Sequence, residues 1–466
     1  MRNSLLITLC LFAIHFANAQ EQTLLRGAVT ETTVTNDSLD ISYSIYLPQN
    51  YDPEKLAKAL FVFDPEGEGT KAARLFASGL QGEDFVIVSN NHPMSSTIDS
   101  LDANADNALL IVRDVFRKIA VDKYRVYFSG LKGGAKTASA LSYIFKSSAN
   151  LLLIDDMYFA NRFANQAQRN LAIGVIGDAS PNYYPMEDYF YMLKAYGKNN
   201  ELYTYDDTSE WPSAAFLGTL VKRLDHLNVE HYNLKVEDSV WQRQASVDLN
   251  TVQGLINDGQ LVVAYDLVRD LKGDYRGEVD LDPIREVQRS LRRSDAYKQA
   301  KRLSRKDEVQ EGLLLDDISY FLEEDLALGN FKNLGYWDDR ILQFKTAAQN
   351  PAKPIEQKVA RRMLGYIDYT VKDFLALNRV ALYDQRIFAN VLKTILDPVD
   401  YQAYLDIISL AAQDEDENTA FFYLEELLKQ GYTDYDKLYD IPDTEFVKIK
   451  PVYNQLIESY LGKSKF

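Results

Sequence analysis

Residues 123–141 read KYRVYFSGLKGGAKTASAL, and this stretch decides the fold. Its early part, residues 125–128, contains β-branched and aromatic residues that favour a buried strand. Glycines then follow at Gly130, Gly133 and Gly134, and the small side chains of the remaining residues suit a helix. The stretch therefore predicts a strand, a glycine-containing turn and a helix in immediate succession.

Composition and charge place the chain among globular proteins. It has 466 residues, of which 46% are hydrophobic and 26% charged, so two domains or more are expected. The formal net charge is −17, and such an acidic surface repels nucleic acid and anionic lipid. No compensating stripe of lysine and arginine is evident in the sequence. We therefore expect neither nucleic acid nor a membrane surface as a partner.

Residues 1–19 have the pattern of a secretory signal peptide. A positive charge precedes a mostly apolar run over residues 5–16, and small residues lead to a cleavage site near Ala19. Cleavage would start the mature chain at Gln20 and remove Cys10, the single cysteine, so no disulfide or thiolate site is expected. No later stretch is apolar enough to span a bilayer. The sequence predicts an exported protein, periplasmic or secreted, without a transmembrane segment.

The chain changes character near residue 230. Before this point, strand-like and helix-like segments alternate, which indicates a mainly parallel sheet with its functional groups at the carboxyl ends of the strands. The strand candidates are 39–47, 59–63, 85–88, 125–128, 151–154, 173–176 and 201–205. Beyond it, amphipathic helical segments follow one another, at 261–271, 284–303, 313–328, 355–377, 380–395, 401–412 and 418–431. We predict a signal peptide at 1–19, an α/β domain at 20–230 and an all-α domain at 231–466.

Several landmarks in this order resemble the α/β-hydrolase superfamily, especially secreted esterases of the polyhydroxybutyrate-depolymerase and feruloyl-esterase kind. Gly-Leu-Lys-Gly-Gly at 130–134 fits the frame G-x-S-x-G of the nucleophile elbow, where the middle residue occupies a strained turn. P-Q-N-Y-D-P at 48–53, V-D-K-Y-R-V-Y at 121–127 and T-Y-D-D-T-S-E-W-P at 204–212 resemble further segments of that family. The resemblance covers roughly residues 25–227 and implies an α/β-hydrolase-like, mainly parallel sheet.

The resemblance also implies which residues would surround the active-site cleft. The loop D-P-E-G-E-G at 64–69 resembles the one that supplies oxyanion donors in that family. The cleft positions are therefore Asp64, Gly67 and Gly69 from this loop, with Leu131 and Gly133 from the elbow.

The catalytic positions depart from the family pattern. A serine esterase needs a nucleophile, a base and a carboxylate that orients the base. These three positions are occupied by Lys132, Ser209 and Ser180, respectively, so none carries the required group. His92 and Asp178 are the possible substitutes for the base and the acid. Lys132 could also act as a general base or form a Schiff base, which would require a depressed pKa.

The helical part has its own resemblance. A-F-F-Y-L-E-E-L-L-K-Q-G-Y-T-D-Y-D-K-L at 420–438 is similar to the helix and turn of tetratricopeptide-like repeats, although no regular 34-residue period is present. Such helical pairs usually present a concave surface to another protein. Equally, these helices could pack on the first domain as a purely structural appendage.

Two functions from different classes follow. The favoured one is an exported pseudo-esterase that works as a binding or scaffolding protein in the bacterial envelope and holds a protein, small-molecule or glycan ligand. The alternative is a divergent, serine-independent esterase for small acyl or carbohydrate esters that uses Lys132, His92 and Asp178. Neither function calls for a cofactor. No metal is expected either, because the histidines and carboxylates do not stand at a recognisable metal-ligand spacing.

Overall fold

The computed structural model describes residues 24–35, 41–95, 100–145, 150–158, 171–195, 200–205, 211–377 and 382–466, apart from the side chains of residues 305–308 and 377. The predicted signal peptide lies outside these residues. The chain forms two compact units. The first consists of residues up to Val175 together with Tyr189–Arg292, and the second of Ile176–Asp188 together with Arg293–Phe466.

An eight-stranded, mainly parallel sheet forms the centre of the α/β region. The strands are β1 (Val29–Thr33), β2 (Ser42–Tyr46), β3 (Ala57–Phe63), β4 (Phe85–Asn90), β5 (Val121–Leu131), β6 (Asn150–Ile154), β7 (Ala172–Gly177) and β8 (Glu201–Tyr205). They lie in the order β1-β2-β4-β3-β5-β6-β7-β8. β2 is antiparallel to β1 and to β4, whereas β4, β3, β5, β6 and β7 are parallel neighbours. The predicted α/β-hydrolase-like, mainly parallel sheet is confirmed.

The inner strands are readable in the sequence because they are covered on both faces. Every residue of β3, β4, β6 and β7 is buried, so these strands appear as continuous apolar runs without polar alternation. The half-buried β1 and the short helix that follows β3 carry weaker patterns and were not predicted. Up to residue 293, the described helices are α1 (Gly69–Gly79), α2 (Leu101–Lys118), α3 (Gly133–Ile144), α4 (Tyr183–Ala195), α5 (Ala214–Tyr232), α6 (Asp238–Asn257), α7 (Leu261–Asp274) and α8 (Asp282–Arg293).

Helix α5 carries charged side chains that are paired inside the first unit. Asp225 accepts a hydrogen bond from Arg125 Nε at 2.9 Å and lies 3.0 Å from Lys58 Nζ. Although burial alone would raise it, these two cations hold the pKa of Asp225 well below its usual range. The buried carboxylate is therefore stabilised by β3 and β5, and it joins α5 to the sheet.

Helices α6 and α7 belong to this unit for the same reason. Lys222 of α5 pairs with Asp248 of α6, and Tyr275, just after α7, donates to Asp248 Oδ2 at 2.7 Å. Arg223 of α5 donates to Asp274 of α7 at 2.6 Å. Deleting either helix would leave a buried ion without its partner, which is strongly destabilising. The first unit consequently extends to Arg292, past the predicted boundary at residue 230.

The second unit is helical apart from its N-terminal segment. Its later helices are α9 (Asp295–Leu328), α10 (Leu334–Ala348), α11 (Pro354–Leu377), α12 (Tyr383–Leu396), α13 (Tyr401–Gln413), α14 (Glu417–Lys429), α15 (Tyr435–Tyr439) and α16 (Pro451–Leu461), with a 3₁₀ turn at Phe331–Asn333. One core gathers Ile318, Trp337 and Met363, and another gathers Leu424 and Tyr453. The predicted helical region is confirmed. Within the described residues, no helix has both the length and the apolar character required to cross a membrane.

The sequence predicted helices at 284–303 and 313–328, and the position of the break between them was wrong. The chain breaks at Ser294, and a single helix, α9, then runs for 34 residues. The Ser294 side chain accepts a hydrogen bond from the Tyr297 backbone N–H at 3.2 Å and so caps the new helix. The amphipathic pattern continues through this break, because the spacing of apolar residues does not show where a capping residue ends one helix and begins the next.

Candidate functional site

The elbow predicted after β5 is present. β5 ends at Leu131 and α3 begins at Gly133, so Lys132 alone makes the turn. Its backbone angles are φ 49° and ψ −118°, a strained combination for a residue with a Cβ. The Lys132 N–H donates to the carbonyl of Ile154, at the end of β6, at 2.9 Å. The turn is thus held by the neighbouring strand.

Two of the glycines are required by close approach of the backbone. An added Cβ on Gly134 would lie 2.0 Å from the Phe63 carbonyl oxygen at the end of β3. An added Cβ on Gly130 would lie 2.3 Å from the Gly134 carbonyl carbon. Strand, turn and helix therefore fit together only because these positions have no side chain.

The side chain at the apex is an exposed lysine. Within the described part of the chain, the Lys132 ammonium makes no hydrogen bond or ion pair. The next lysine, Lys136, lies one helical turn on and pairs with Asp156, 3.2 Å away, just after β6. Lys136 is thus paired with a carboxylate of its own.

Asp156 is a site residue that the sequence analysis missed. Burial raises the pKa of its carboxyl to about 6, while Lys136 and the Met157 backbone N–H oppose that rise. Asp155, beside it, adopts a positive φ of 64° and donates its N–H to the Val175 carbonyl at 2.9 Å. The signal available in the sequence was the acidic pair Asp155-Asp156 directly after a buried strand.

Three N–H donors of the oxyanion-type loop after β3 are occupied, those of Glu66, Gly67 and Glu68. The Asp64 carboxylate is buried and accepts hydrogen bonds from the backbone N–H groups of Glu66 and Glu68, at 2.9 and 3.0 Å. The N–H of Gly67 donates to the Asp64 carbonyl at 3.3 Å, and Pro65 has no N–H. Asp64 therefore organises the loop, and these donors point inward to it.

The remaining cleft glycines mark tight layering of two loops on the elbow. An added Cβ on Gly67 would lie 2.6 Å from the His92 carbonyl carbon, and one on Gly69 would lie 2.4 Å from the Asn90 carbonyl oxygen. On Gly133 it would lie 2.4 Å from the Met94 carbonyl oxygen. The loop after β4 thus lies directly against both the β3 loop and the elbow.

His92, the substitute base, lies in that β4 loop. Neither of its ring nitrogens has a hydrogen-bond partner among the described residues. Burial lowers the pKa of His92 below its usual value. The backbone of Ser42 opposes this shift only in part. The imidazole is therefore neutral near pH 7. No hydrogen bond between described residues links it to Lys132 or to a carboxylate that could orient it.

Both acid positions after β7 are used in the second unit. Asp178 pairs with Lys358 of α11, and the Asp178 carbonyl accepts a hydrogen bond from Arg362 Nη1 at 3.0 Å. Ser180 is buried, and its Oγ accepts a hydrogen bond from the Asn182 N–H at 3.1 Å. These contacts make the segment part of the helical packing.

The same segment is fixed further along. Arg362 pairs with Glu311 of α9, and Tyr184 of α4 donates to the same carboxylate. The Arg362 guanidinium also lies 4.6 Å from the centre of the Tyr183 ring. An added Cβ on Gly365 would lie 2.0 Å from the Pro181 carbonyl oxygen. Residues 178–184 are therefore held by both side-chain pairs and backbone contact.

Ser209, at the predicted base position, lies outside the described residues. Trp211, which follows it, packs edge-on against Phe76 of α1 with ring centres 5.9 Å apart. As for metals, the described residues contain no group of three or more His, Cys, Asp or Glu side chains placed to hold an ion.

Comparison with known proteins gave structural likeness only. No protein-family model matches the sequence, and no curated protein matches it. A feruloyl esterase module from Clostridium thermocellum, complexed with sinapinate, is similar over 47% of this chain and 94% of its own, with 14% identity and a TM-score of 0.35. A thermophilic esterase from the Planctomycetes species Thermogutta terrifontis is similar over 44% of this chain and 92% of its own, with 16% identity and a TM-score of 0.33.

A thermostable esterase is also similar, over 43% of this chain, with 14% identity and a TM-score of 0.34. The chain spans 62% of the length of that protein. Scores of this size carry no argument of their own. The α/β region has an α/β-hydrolase-like fold, and this conclusion rests on its strand order and on the elbow after β5.

Proposed function

We propose that the chain is an exported, catalytically inactive relative of the esterases that acts by binding a partner in the bacterial envelope. The observation that carries the proposal is the elbow itself. Its strained backbone and glycine contacts are intact, yet the apex residue is Lys132 with an exposed side chain. A hydroxyl or thiol nucleophile is therefore missing at the one position where the fold would expose it.

Two further observations support the proposal. The donors of the β3 loop are engaged by Asp64, so they do not point toward an oxyanion. Asp178 is paired with Lys358, and Ser180 stabilises a turn, so the segment after β7 contributes to packing. In this proposal the β3 loop and the segment after β7 serve structural contacts, while the side chains of Lys132 and His92 have no partner among the described residues.

The helical unit supplies the binding role in this proposal. We infer that its tetratricopeptide-like helical pairs, α13 to α16, present a surface to a peptide, protein or glycan partner. Export rests on the signal-peptide pattern of residues 1–19. It is tested by N-terminal sequencing of the protein recovered from the producing cells' envelope, which should begin at Gln20.

The alternative function is a divergent esterase, and one observation favours it. His92 is neutral near pH 7 and has two ring nitrogens without a partner among the described residues, as a free general base would. In that mechanism His92 or Lys132 would activate water or the ester directly. Against this mechanism, no described residue orients His92, and Asp178 is paired elsewhere.

One experiment separates the two functions. Hydrolysis of a short-chain p-nitrophenyl ester is measured for the mature protein, Lys132→Ala and the exposed control Lys235→Ala. We expect all three to match the rate in buffer, and Lys132→Ser to remain inactive for lack of a base. Turnover that Lys132→Ala abolishes and Lys235→Ala retains would overturn the proposal. His92→Ala then shows whether the histidine takes part.

A further inference from the structure

A cavity in the first unit gathers positive charge in an otherwise acidic protein. It has a volume of about 350 Å³ and lies between α7 and α8. Five cationic side chains line it, those of Lys272, Arg276, Arg285, Arg289 and Arg292. The sequence analysis did not single out this group of residues in a chain with net charge −17.

The helical geometry explains how the cavity forms. Arg285, Arg289 and Arg292 are spaced four and three residues apart, so they lie on one face of α8. Lys272, in the last turn of α7, donates to Gln288 of α8 at 2.9 Å, which joins the two helices across the cavity. Arg276 follows in the turn between them. The cations thus come from two helices and from their connection.

Few acidic side chains compensate these charges. Arg285 pairs with the exposed Asp282 at 3.1 Å. In the part of the chain that the structure describes, Arg276, Arg289 and Arg292 make no ion pair, and all three are exposed. Like charges held this close repel one another unless an anion lies between them. The cluster therefore concentrates positive charge that few described acidic side chains offset.

The shape of the cluster selects among anions. A guanidinium makes two parallel hydrogen bonds to phosphate or carboxylate oxygens, and an ammonium adds a point charge. Cations that approach from several directions suit tetrahedral phosphoryl groups better than a planar carboxylate. The volume accommodates a small ligand, and five cations match several negative charges.

We propose that this cavity binds a small ligand with two or more linked phosphoryl groups. The site is separate from the elbow and does not depend on whether the chain catalyses ester hydrolysis. Lys272 and Arg276 would bind one end of the ligand, and the arginine face of α8 the other. The bound anion would also bring α7 and α8 together by cancelling their mutual repulsion.

The proposal is tested by calorimetric titration of the mature protein with inorganic tripolyphosphate at low salt. The double variant Arg276→Gln/Arg289→Gln should weaken binding by about 100-fold, since each charged hydrogen bond contributes about tenfold. The matched control Arg74→Gln/Arg361→Gln removes the same charge from exposed positions outside the cavity and should change affinity less than about threefold. Raising the salt concentration should weaken binding to the parent protein.

Three results would overturn the proposal. The first is the absence of saturable binding at millimolar tripolyphosphate. The second is an equal loss in the cavity and control variants, which would indicate nonspecific attraction. The third is citrate binding as tightly as tripolyphosphate, which would remove the preference for phosphoryl groups. Thermal unfolding of both double variants verifies that they are folded, as expected for substitutions of exposed side chains.

Discussion

The elbow and the segment after β7 would both carry catalytic groups in an esterase, and in this chain different kinds of contact hold them. At the elbow the backbone is retained in detail, with Lys132 at positive φ between glycines that allow close contact. Residues 178–184 instead add side-chain pairing to their backbone contacts: Asp178 pairs with Lys358, and Tyr184 donates to Glu311, which also pairs with Arg362. The elbow is thus held by backbone contacts and leaves its apex side chain exposed, whereas the segment after β7 has its carboxylate in an ion pair.

The difference shows that the shape of a catalytic fold and its chemistry are separable. Backbone geometry at the elbow is determined by contacts among β3, β5 and α3, which do not involve the apex side chain. The apex therefore accepts a lysine side chain without loss of those contacts. A buried or half-buried acid, in contrast, needs a partner, and Asp178 has one in Lys358.

The largest expected effect comes from disturbing the elbow backbone. Gly134→Ala should destabilise the protein by more than about 3 kcal/mol, because the added Cβ would meet the Phe63 carbonyl oxygen, which cannot move away cheaply. Denaturant unfolding measures the loss. Gly254→Ala in α6, where an added Cβ meets nothing within 4 Å, is the control and should be neutral or slightly stabilising. Equal stability of the Gly134→Ala variant and the parent would mean that the elbow is not closely packed.

The next largest expected effect is the pH dependence of stability that comes from Asp156, the acid paired with Lys136 of the elbow helix. The folded protein keeps Asp156 protonated up to about pH 6, whereas the unfolded chain ionises it near pH 4, so the folded state binds more protons in between. Stability should therefore fall as pH rises from 4 to 6, by up to about 3 kcal/mol, and then level off. Asp156→Asn should lose the share of this fall that Asp156 contributes, and it should keep the share of Asp274, whose pKa burial also raises to about 6.

The check is denaturant unfolding at several pH values between 4 and 7. Asp52→Asn, which removes an exposed carboxylate paired with Lys55, should leave the pH profile of the parent unchanged. Parallel profiles of Asp156→Asn and the parent over this range would contradict the assignment.

On the other side of the comparison, Arg362→Met should destabilise the helical unit by about 2 kcal/mol. The substitution leaves the buried Glu311 with only Tyr184 as a partner, and the estimate is reduced for the partial exposure of the pair. The neighbouring Arg361 is exposed, so Arg361→Met is the matched control and should change stability by less than about 0.5 kcal/mol. If the two variants unfold alike, the ion pairs do not hold the segment.

The smallest effect tests the strain at Lys132. Lys132→Gly should stabilise the protein by about 1 kcal/mol, because glycine relieves the positive φ, although its greater freedom in the unfolded chain offsets part of the gain. Lys132→Ala keeps the Cβ and should give no such gain. A similar stabilisation by both substitutions would attribute the effect to removal of the lysine charge.

The sequence by itself determined the parts of this protein that depend on local patterns. Buried parallel strands appear in the sequence as apolar runs, glycines indicate the elbow, and amphipathic spacing predicts the helical region. Each of these patterns depends only on residues that are neighbours along the chain. The lysine at position 132, where the family pattern has a serine, was equally legible. These predictions needed only the residues within a few positions of one another.

Tertiary structure alone decided which distant groups meet. Asp178 pairs with Lys358, which lies 180 residues later in the chain. Lys136 of α3 pairs with Asp156, which follows β6. The cations of α7 and α8 converge only because a turn brings the two helices together. Ion pairs depend on the distance between the charges and on their burial, and the local period of a sequence encodes neither. The partners of the acidic residues and the cationic cavity therefore became visible only in the tertiary structure.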